Sequence, residues 1–127
     1  TSKGPIEWTY YTPERFDAAL AEGDVIVLEF TAEWCLNCKY LESTVLYTDE
    51  VSQRLAQEDI TPIKVDLTGT NEMGNAKLNE AGAITIPYLV VYTPDGKRVF
   101  NQAFYTVDHV LDAIKEAGGT EVAMGDG

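Results

Sequence analysis

The run Val25-Ile26-Val27-Leu28-Glu29-Phe30 does more than any other stretch to limit the architecture. It is rich in β-branched residues and almost continuously apolar, so it reads as a central strand covered on both faces. After Trp34 the period changes, and Leu36, Tyr40, Leu41, Val45 and Leu46 follow helical spacing. A strand with no wet face that leads at once into a helix calls for helices packed on both sides of a sheet.

The flanking segments agree. Ile6 to Tyr11 reads as a short strand closed by Thr12-Pro13; Thr12 suits an N-cap and Pro13 the first helical position. Phe16, Ala19 and Leu20 give that helix its apolar side, and Gly23-Asp24 stops it. Thr48-Asp49 caps a further segment carrying Val51, Leu55 and Ala56. Ile60 to Leu67 is a strand broken by Gly69, and Asn71 caps a helix running to about Ala81 and ended by Gly82. Tyr88 to Tyr92 and Val99 to Phe104 are strands joined by the turn Thr93-Pro94-Asp95-Gly96. Val107, Val110, Leu111 and Ile114 mark a closing helix that Gly118-Gly119 ends. The order β-α-β-α-β-α-β-β-α predicts an α/β fold: a mixed central sheet, parallel in part through right-handed crossovers, with helices on both faces. One domain over residues 1–127 is expected, with its core at about 6–117 and a flexible glycine-rich tail at 118–127.

Charge narrows the partners. The chain carries 21 acids against 9 bases, a formal charge of −12, which argues against nucleic acid and anionic membrane surfaces. No run of apolar residues is long enough to span a bilayer, so no direct membrane insertion of this domain is expected. A monomer is expected.

The two cysteines, Cys35 and Cys38, enclose only Leu36 and Asn37. A disulfide across so short a loop adds little to stability, which points to a chemical rather than an architectural purpose. Placed in the first turn of a helix, Cys35 meets free backbone N–H groups and the positive end of the helix dipole, both of which favour its thiolate. Cys38 follows one turn later, close enough to attack a mixed disulfide formed at Cys35. Two unreactive or statically bridged cysteines are the plainer reading. A metal site fits poorly, since zinc takes four ligands and the other soft candidate is the distant His109.

The stretch Phe30-Thr31-Ala32-Glu33-Trp34-Cys35-Leu36-Asn37-Cys38-Lys39, with Ile86-Pro87 downstream between a helix and a strand, resembles the thioredoxin superfamily. Within it, the closer resemblance is to the C-terminal thioredoxin-like domains of bacterial DsbD-type thiol:disulfide interchange proteins. This rests on Cys38-Lys39 followed by Glu42 and Thr44, on Val65-Asp66-Leu67-Thr68 with Asn71, and on Pro94-Asp95-Gly96. It spans roughly residues 13–117 and implies a thioredoxin-like fold. Carried over by position, it makes Cys35 the exposed nucleophile, Cys38 the buried resolving thiol and Pro87 a cis-proline facing them. It also gives Ile86 a backbone that pairs with an extended partner chain and sets Trp34 beside the nucleophile as a partner contact.

Glu29 lies on the apolar strand six residues before Cys35, where an acid is costly unless neutral or paired. Thioredoxins carry a buried acid at the matching position, so the resemblance implies a raised pKa and proton transfer with Cys38. The plainer alternative is a glutamate turned to solvent at a strand end. Glu42, about two helical turns beyond Cys35, is either a second acid beside the dithiol or part of a solvated face. Lys39 reads as a solvated helix residue and His109 as a surface or boundary histidine. Phe104-Tyr105 departs from the glycine that relatives often carry near the partner groove.

The residues between the cysteines are uncharged and acids lie nearby, so the thiolate is only moderately favoured and a reductant is expected. The resemblance implies a domain on the periplasmic side of the bacterial inner membrane, excised from a larger membrane protein. It would take two electrons from a transmembrane donor domain and pass them to a periplasmic acceptor. No cofactor is implied, because the dithiol itself carries the electrons. A free-standing thioredoxin-like reductase and a non-catalytic binding module remain as alternatives.

Overall fold

The computed structural model describes residues 5–118. The elements are β1 (Thr9–Tyr10), α1 (Pro13–Ala21), β2 (Val25–Thr31), α2 (Leu36–Leu41) running into a π-helical turn (Glu42–Leu46), and α3 (Asp49–Leu55). Then follow β3 (Ile60–Asp66), α4 (Glu72–Glu80), β4 (Tyr88–Tyr92), β5 (Arg98–Gln102) and α5 (Val107–Glu116). Of the tail expected at 118–127, residues 119–127 lie outside the described residues.

Helix starts follow the capping residues. Thr12 Oγ1 accepts from the Arg15 N–H at 3.1 Å, Thr48 Oγ1 from Val51 at 3.3 Å and Asn71 Oδ1 from Gly74 at 2.8 Å. Each satisfies a first-turn donor that has no partner inside the helix. At α5, Thr106 Oγ1 accepts from the His109 N–H, and His109 Nδ1 accepts from the Thr106 N–H in return. His109 is thus an exposed capping residue.

The sheet order is β1-β3-β2-β4-β5, with β2 in the centre. Strands β1, β3 and β2 run parallel, whereas β4 and β5 are antiparallel to their neighbours. This is the mixed sheet that the element order predicts. All seven residues of β2 are buried, and they divide by alternation. Ile26, Leu28 and Phe30 join Phe16 and Ala19 of α1 and Leu78 of α4 in one core. Val25 and Val27 join Leu41, Val45, Leu55, Val110 and Ile114, from the α2, α3 and α5 side, in the other. Each fully buried Leu or Phe contributes about 2 kcal/mol of hydrophobic stabilisation. Gly74 lets α4 lie close to β3, since a Cβ there would come within 2.7 Å of Val65 Cγ1.

Three boundaries differ from expectation. β1 pairs for only two residues, although Ile6 and Trp8 are buried in the core as a longer strand would require. Pro62 supplies the reason. Lys64 turns its carbonyl toward β1 to accept from the Tyr11 N–H, so Pro62, two residues earlier, faces the same way without a donor. The helix after Trp34 widens into the π turn, with Tyr47 N–H donating to the Glu42 carbonyl five residues back at 2.8 Å. Along it Leu36 and Tyr40 face solvent, outside the apolar stripe. Finally, β5 ends at Gln102, leaving Phe104 exposed and Tyr105 buried in the segment before α5.

Candidate active site

The centre of the sheet delivers the cysteines. β2 ends at Thr31, and the tight turn through Ala32 and Trp34 is tied to the loop after β3. Thr68 Oγ1 accepts from the Glu33 N–H at 2.9 Å, and Trp34 Nε1 donates to the Thr68 carbonyl at 3.2 Å. Thr68 is itself held by Asp66 Oδ1, which accepts from its N–H at 3.0 Å. These bonds fix the approach to the helix from outside the helix.

Cys35 is the N-cap of α2, with extended backbone, and its Sγ accepts from the Cys38 N–H at 3.2 Å. A sulfur that receives a backbone donor at a helix start is placed where negative charge is favoured. The two cysteines are joined by a disulfide, their Cα atoms 5.2 Å apart. Cys38 is fully buried, whereas Cys35 keeps 7% of its surface, so what exposure the pair has belongs to the first cysteine. The Ile86–Pro87 peptide bond is cis, and Ile86 packs on the cluster of Ala32, Cys35 and Cys38. Trp34 is largely exposed beside them.

Beneath the helix lies a pair of carboxyls. Glu29 points to the α2–α5 side of β2 and is only 1% exposed, so the solvent-facing alternative for it is ruled out. Glu42, also buried, accepts from Thr31 Oγ1 at 2.9 Å and lies 3.5 Å from Lys39 Nζ, which reaches Glu33 at 3.3 Å. The solvated-face alternative for Glu42 therefore fails as well. Lys39 is half-exposed and bridges two acids rather than standing free.

Burial drives the Glu29 pKa well above the ordinary carboxylate value, and a hydrogen bond and the charge of Glu42 push it the same way. Burial acts in that direction on Glu42 too. It is outweighed by hydrogen bonds from Glu29 and Thr31 and by the charges of Lys64 and Lys39, which hold Glu42 below the ordinary value. The two carboxyls are thus pushed in opposite directions, Glu29 toward keeping its proton and Glu42 toward losing it. Glu29 Oε1 has no hydrogen-bond partner among the described residues.

Sequence reasoning singled out both acids but missed their supports. Thr31 shares the face of Glu29 by simple alternation, and that signal was available. Lys64 is the register partner of Glu29 on β3. Tyr105 is buried, and its phenol is pushed well up by burial and by the charges of Glu29 and Glu42. Both of these become neighbours only through the sheet order and the α5 packing. Among the described residues no cluster of His, Cys, Asp and Glu is placed to hold a metal. Nor is any helix among them long and apolar enough to cross a membrane.

Comparison with known proteins places this geometry. The thioredoxin-like family profile matches residues 7–94. Thiol:disulfide interchange protein DsbD 1 of Pseudomonas aeruginosa is 32% identical over 97 residues, covering 72% of this chain but 16% of its own length. A protein disulfide-isomerase of Hordeum vulgare is 32% identical over 111 residues, 84% of this chain and 20% of its own. The reduced C-terminal domain of Neisseria meningitidis DsbD superposes with a TM-score of 0.66 at 25% identity, covering 86% of this chain and 99% of that domain. A Thermus thermophilus thioredoxin reaches 0.70 at 22% identity over 95% of this chain and 93% of its own, which speaks for the fold alone. The chain therefore belongs to the thioredoxin-like family, as a CxxC-bearing domain of the thiol:disulfide oxidoreductase type similar to the C-terminal domain of DsbD.

Proposed function

We propose that this domain is a dithiol reductant that relays two electrons between protein partners. The observation that carries the reading is the unequal burial of the two bonded cysteines, Cys35 keeping 7% of its surface exposed and Cys38 none. A partner thiolate has access only to Cys35. Its attack there breaks the Cys35–Cys38 bond, and Cys38 departs as a thiolate that takes the proton held on Glu29. The partner's second thiolate then displaces Cys35, and the partner leaves oxidised. In the outward direction the Cys35 thiolate opens a partner disulfide, and that partner's first sulfur leaves as a thiolate. Cys38 returns its proton to the carboxyl pair and closes on Cys35, which frees the second partner sulfur. Pro87 and Ile86 form the rim on which an extended partner chain lies, and Trp34 flanks it.

The direction follows from electrostatics. Glu33 and Glu42 supply the negative charge near the dithiol, and both engage the one lysine there, Lys39. Anionic surroundings disfavour the thiolate, so the reduced form is weakly stabilised and the couple is reducing. The chain spans 15–16% of the first DsbD relatives it matches. Its likeness to the C-terminal domain of DsbD supports reading it as part of a larger membrane protein, on the periplasmic side of the bacterial inner membrane. There a membrane-embedded domain would supply its electrons and a periplasmic domain or protein would receive them.

Equilibration with dithiothreitol or glutathione buffers tests the direction. A potential more reducing than about −200 mV is expected. A value near about −120 mV, typical of a dedicated oxidant, would contradict the assignment.

A further inference from the structure

Two cations act on the carboxyl pair beneath the dithiol, and they are held in different ways. Lys39, from α2, is bonded to both Glu42 and Glu33. Lys64, from β3, is the register partner of Glu29 and so stands on the same α2–α5 side of the sheet. Among the described residues no salt bridge ties Lys64 to a carboxylate. Its Nζ lies instead 5.2 Å from the centroid of the Trp8 ring. That is inside the range of about 6 Å over which a ring face attracts an ammonium.

The ring is set in place by the fold. Tyr10 pairs with Lys64, and alternation puts Trp8, two residues earlier, on the same face. Trp8 is 6% exposed and belongs to the core cluster that holds Leu41 of α2 and Val45 of the π turn. Its Nε1 donates to the hydroxyl of Tyr47, the residue that closes the π turn, at 3.3 Å. The segment before β1 is thereby fastened to the helical stretch that carries Glu42.

The place of the Lys64 ammonium matters to both acids. Burial is the largest influence on each and raises it, while the lysine charges oppose it, Lys64 ahead of Lys39 in both cases. That opposition weakens with distance and with solvent between the charges. Lys64 is half-buried on a flexible stem, so a fixed surface is needed to keep its charge inward. The other titratable groups around the pair are Tyr105, from the segment before α5, with Tyr47 beyond it and Cys38 on α2.

We propose, building on the proton exchange assigned to Cys38 and the carboxyl pair, that Trp8 is a positioning residue that holds the Lys64 ammonium against Glu29 and Glu42 and so tunes the pair for that exchange. Trp8 acts through Lys64 and takes no part in the sulfur chemistry.

The test is carboxyl NMR titration of the reduced domain in the parent and in four variants: Lys64→Gln, Trp8→Leu, Trp8→Phe, and Trp8→Leu combined with Lys64→Gln. Lys64→Gln removes a positive charge, so both Glu29 and Glu42 should titrate at higher pH. Trp8→Leu releases the ammonium and should reproduce at least half of that upward shift. Added to Lys64→Gln, it should move neither carboxyl further. Trp8→Phe keeps an aromatic face and should stay close to the parent. An unshifted Trp8→Leu, or an equal shift with and without Lys64, would overturn the proposal, the second being what a merely structural role produces. Should Trp8→Leu fail to fold, the parent still decides, because the ring current of Trp8 should displace the Lys64 Hε protons upfield. Lys64 Hε protons at their ordinary position would overturn the placement. Reduction of 2-hydroxyethyl disulfide by the parent is measured alongside. An inactive parent with the titrations as expected would remove the reductant reading and leave the hold of Trp8 on Lys64 standing.

Discussion

The two faces of β2 are built from one strand and do different work. Toward α1 and α4, Ile26, Leu28 and Phe30 pack into a cluster of apolar and aromatic side chains. Toward α2 and α5, the same strand sends Val25 and Val27, then Glu29 and Thr31 beneath the dithiol. A buried carboxyl pair costs stability that an apolar pair of the same size would not. The contrast teaches that alternation along a single strand separates a face that holds the domain together from one that serves its chemistry.

The largest break in this comparison is expected on the apolar face. Leu28→Ala should cost about 2–5 kcal/mol by leaving a cavity, readable in urea unfolding. In the surviving folded protein the pH profile of thiol alkylation should not move, and a moved profile would mean the faces are not separable.

Glu29→Gln acts on the other face with a smaller effect and the opposite pattern. Because the folded pKa of Glu29 is raised, native protein binds more protons than unfolded protein once pH passes the ordinary carboxylate value. Stability is then lost as pH rises through the folded pKa. The variant lacks that loss and still offers an amide donor to Glu42, so its stability relative to the parent should grow from pH 4 toward pH 8. Its thiol alkylation profile should shift at the same time. A stability difference that stays flat with pH would contradict a protonated Glu29.

Thr31→Val should have the smallest effect, about 1 kcal/mol, by deleting one hydrogen bond to Glu42. Since that bond favours ionised Glu42, its loss should raise the Glu42 pKa, measurable by carboxyl NMR titration.

The apolar face was almost wholly legible in the sequence, because a β-branched run and helical spacing are local signals. Thr12, Thr48 and Asn71 cap the helices assigned to them for the same reason. The working face was legible only in part. Cys35, Cys38 and Glu29 stand out by spacing and by an acid in an apolar run, but Lys64 and Tyr105 reach the acid pair through packing between distant segments. The π turn after Leu41 escaped because Glu42, Val45 and Leu46 also fit an ordinary helical stripe. The shortened β1 follows from Pro62 on a neighbouring strand, which no reading of residues 6–11 alone could reveal.

The central claim is that one sulfur is open to partners and its twin is sealed. Brief exposure of the reduced domain to limiting iodoacetamide, followed by peptide mass spectrometry, reads this directly. The account predicts label on Cys35 with Cys38 essentially unmodified. Equal labelling of the two, or preferential labelling of Cys38, would contradict it.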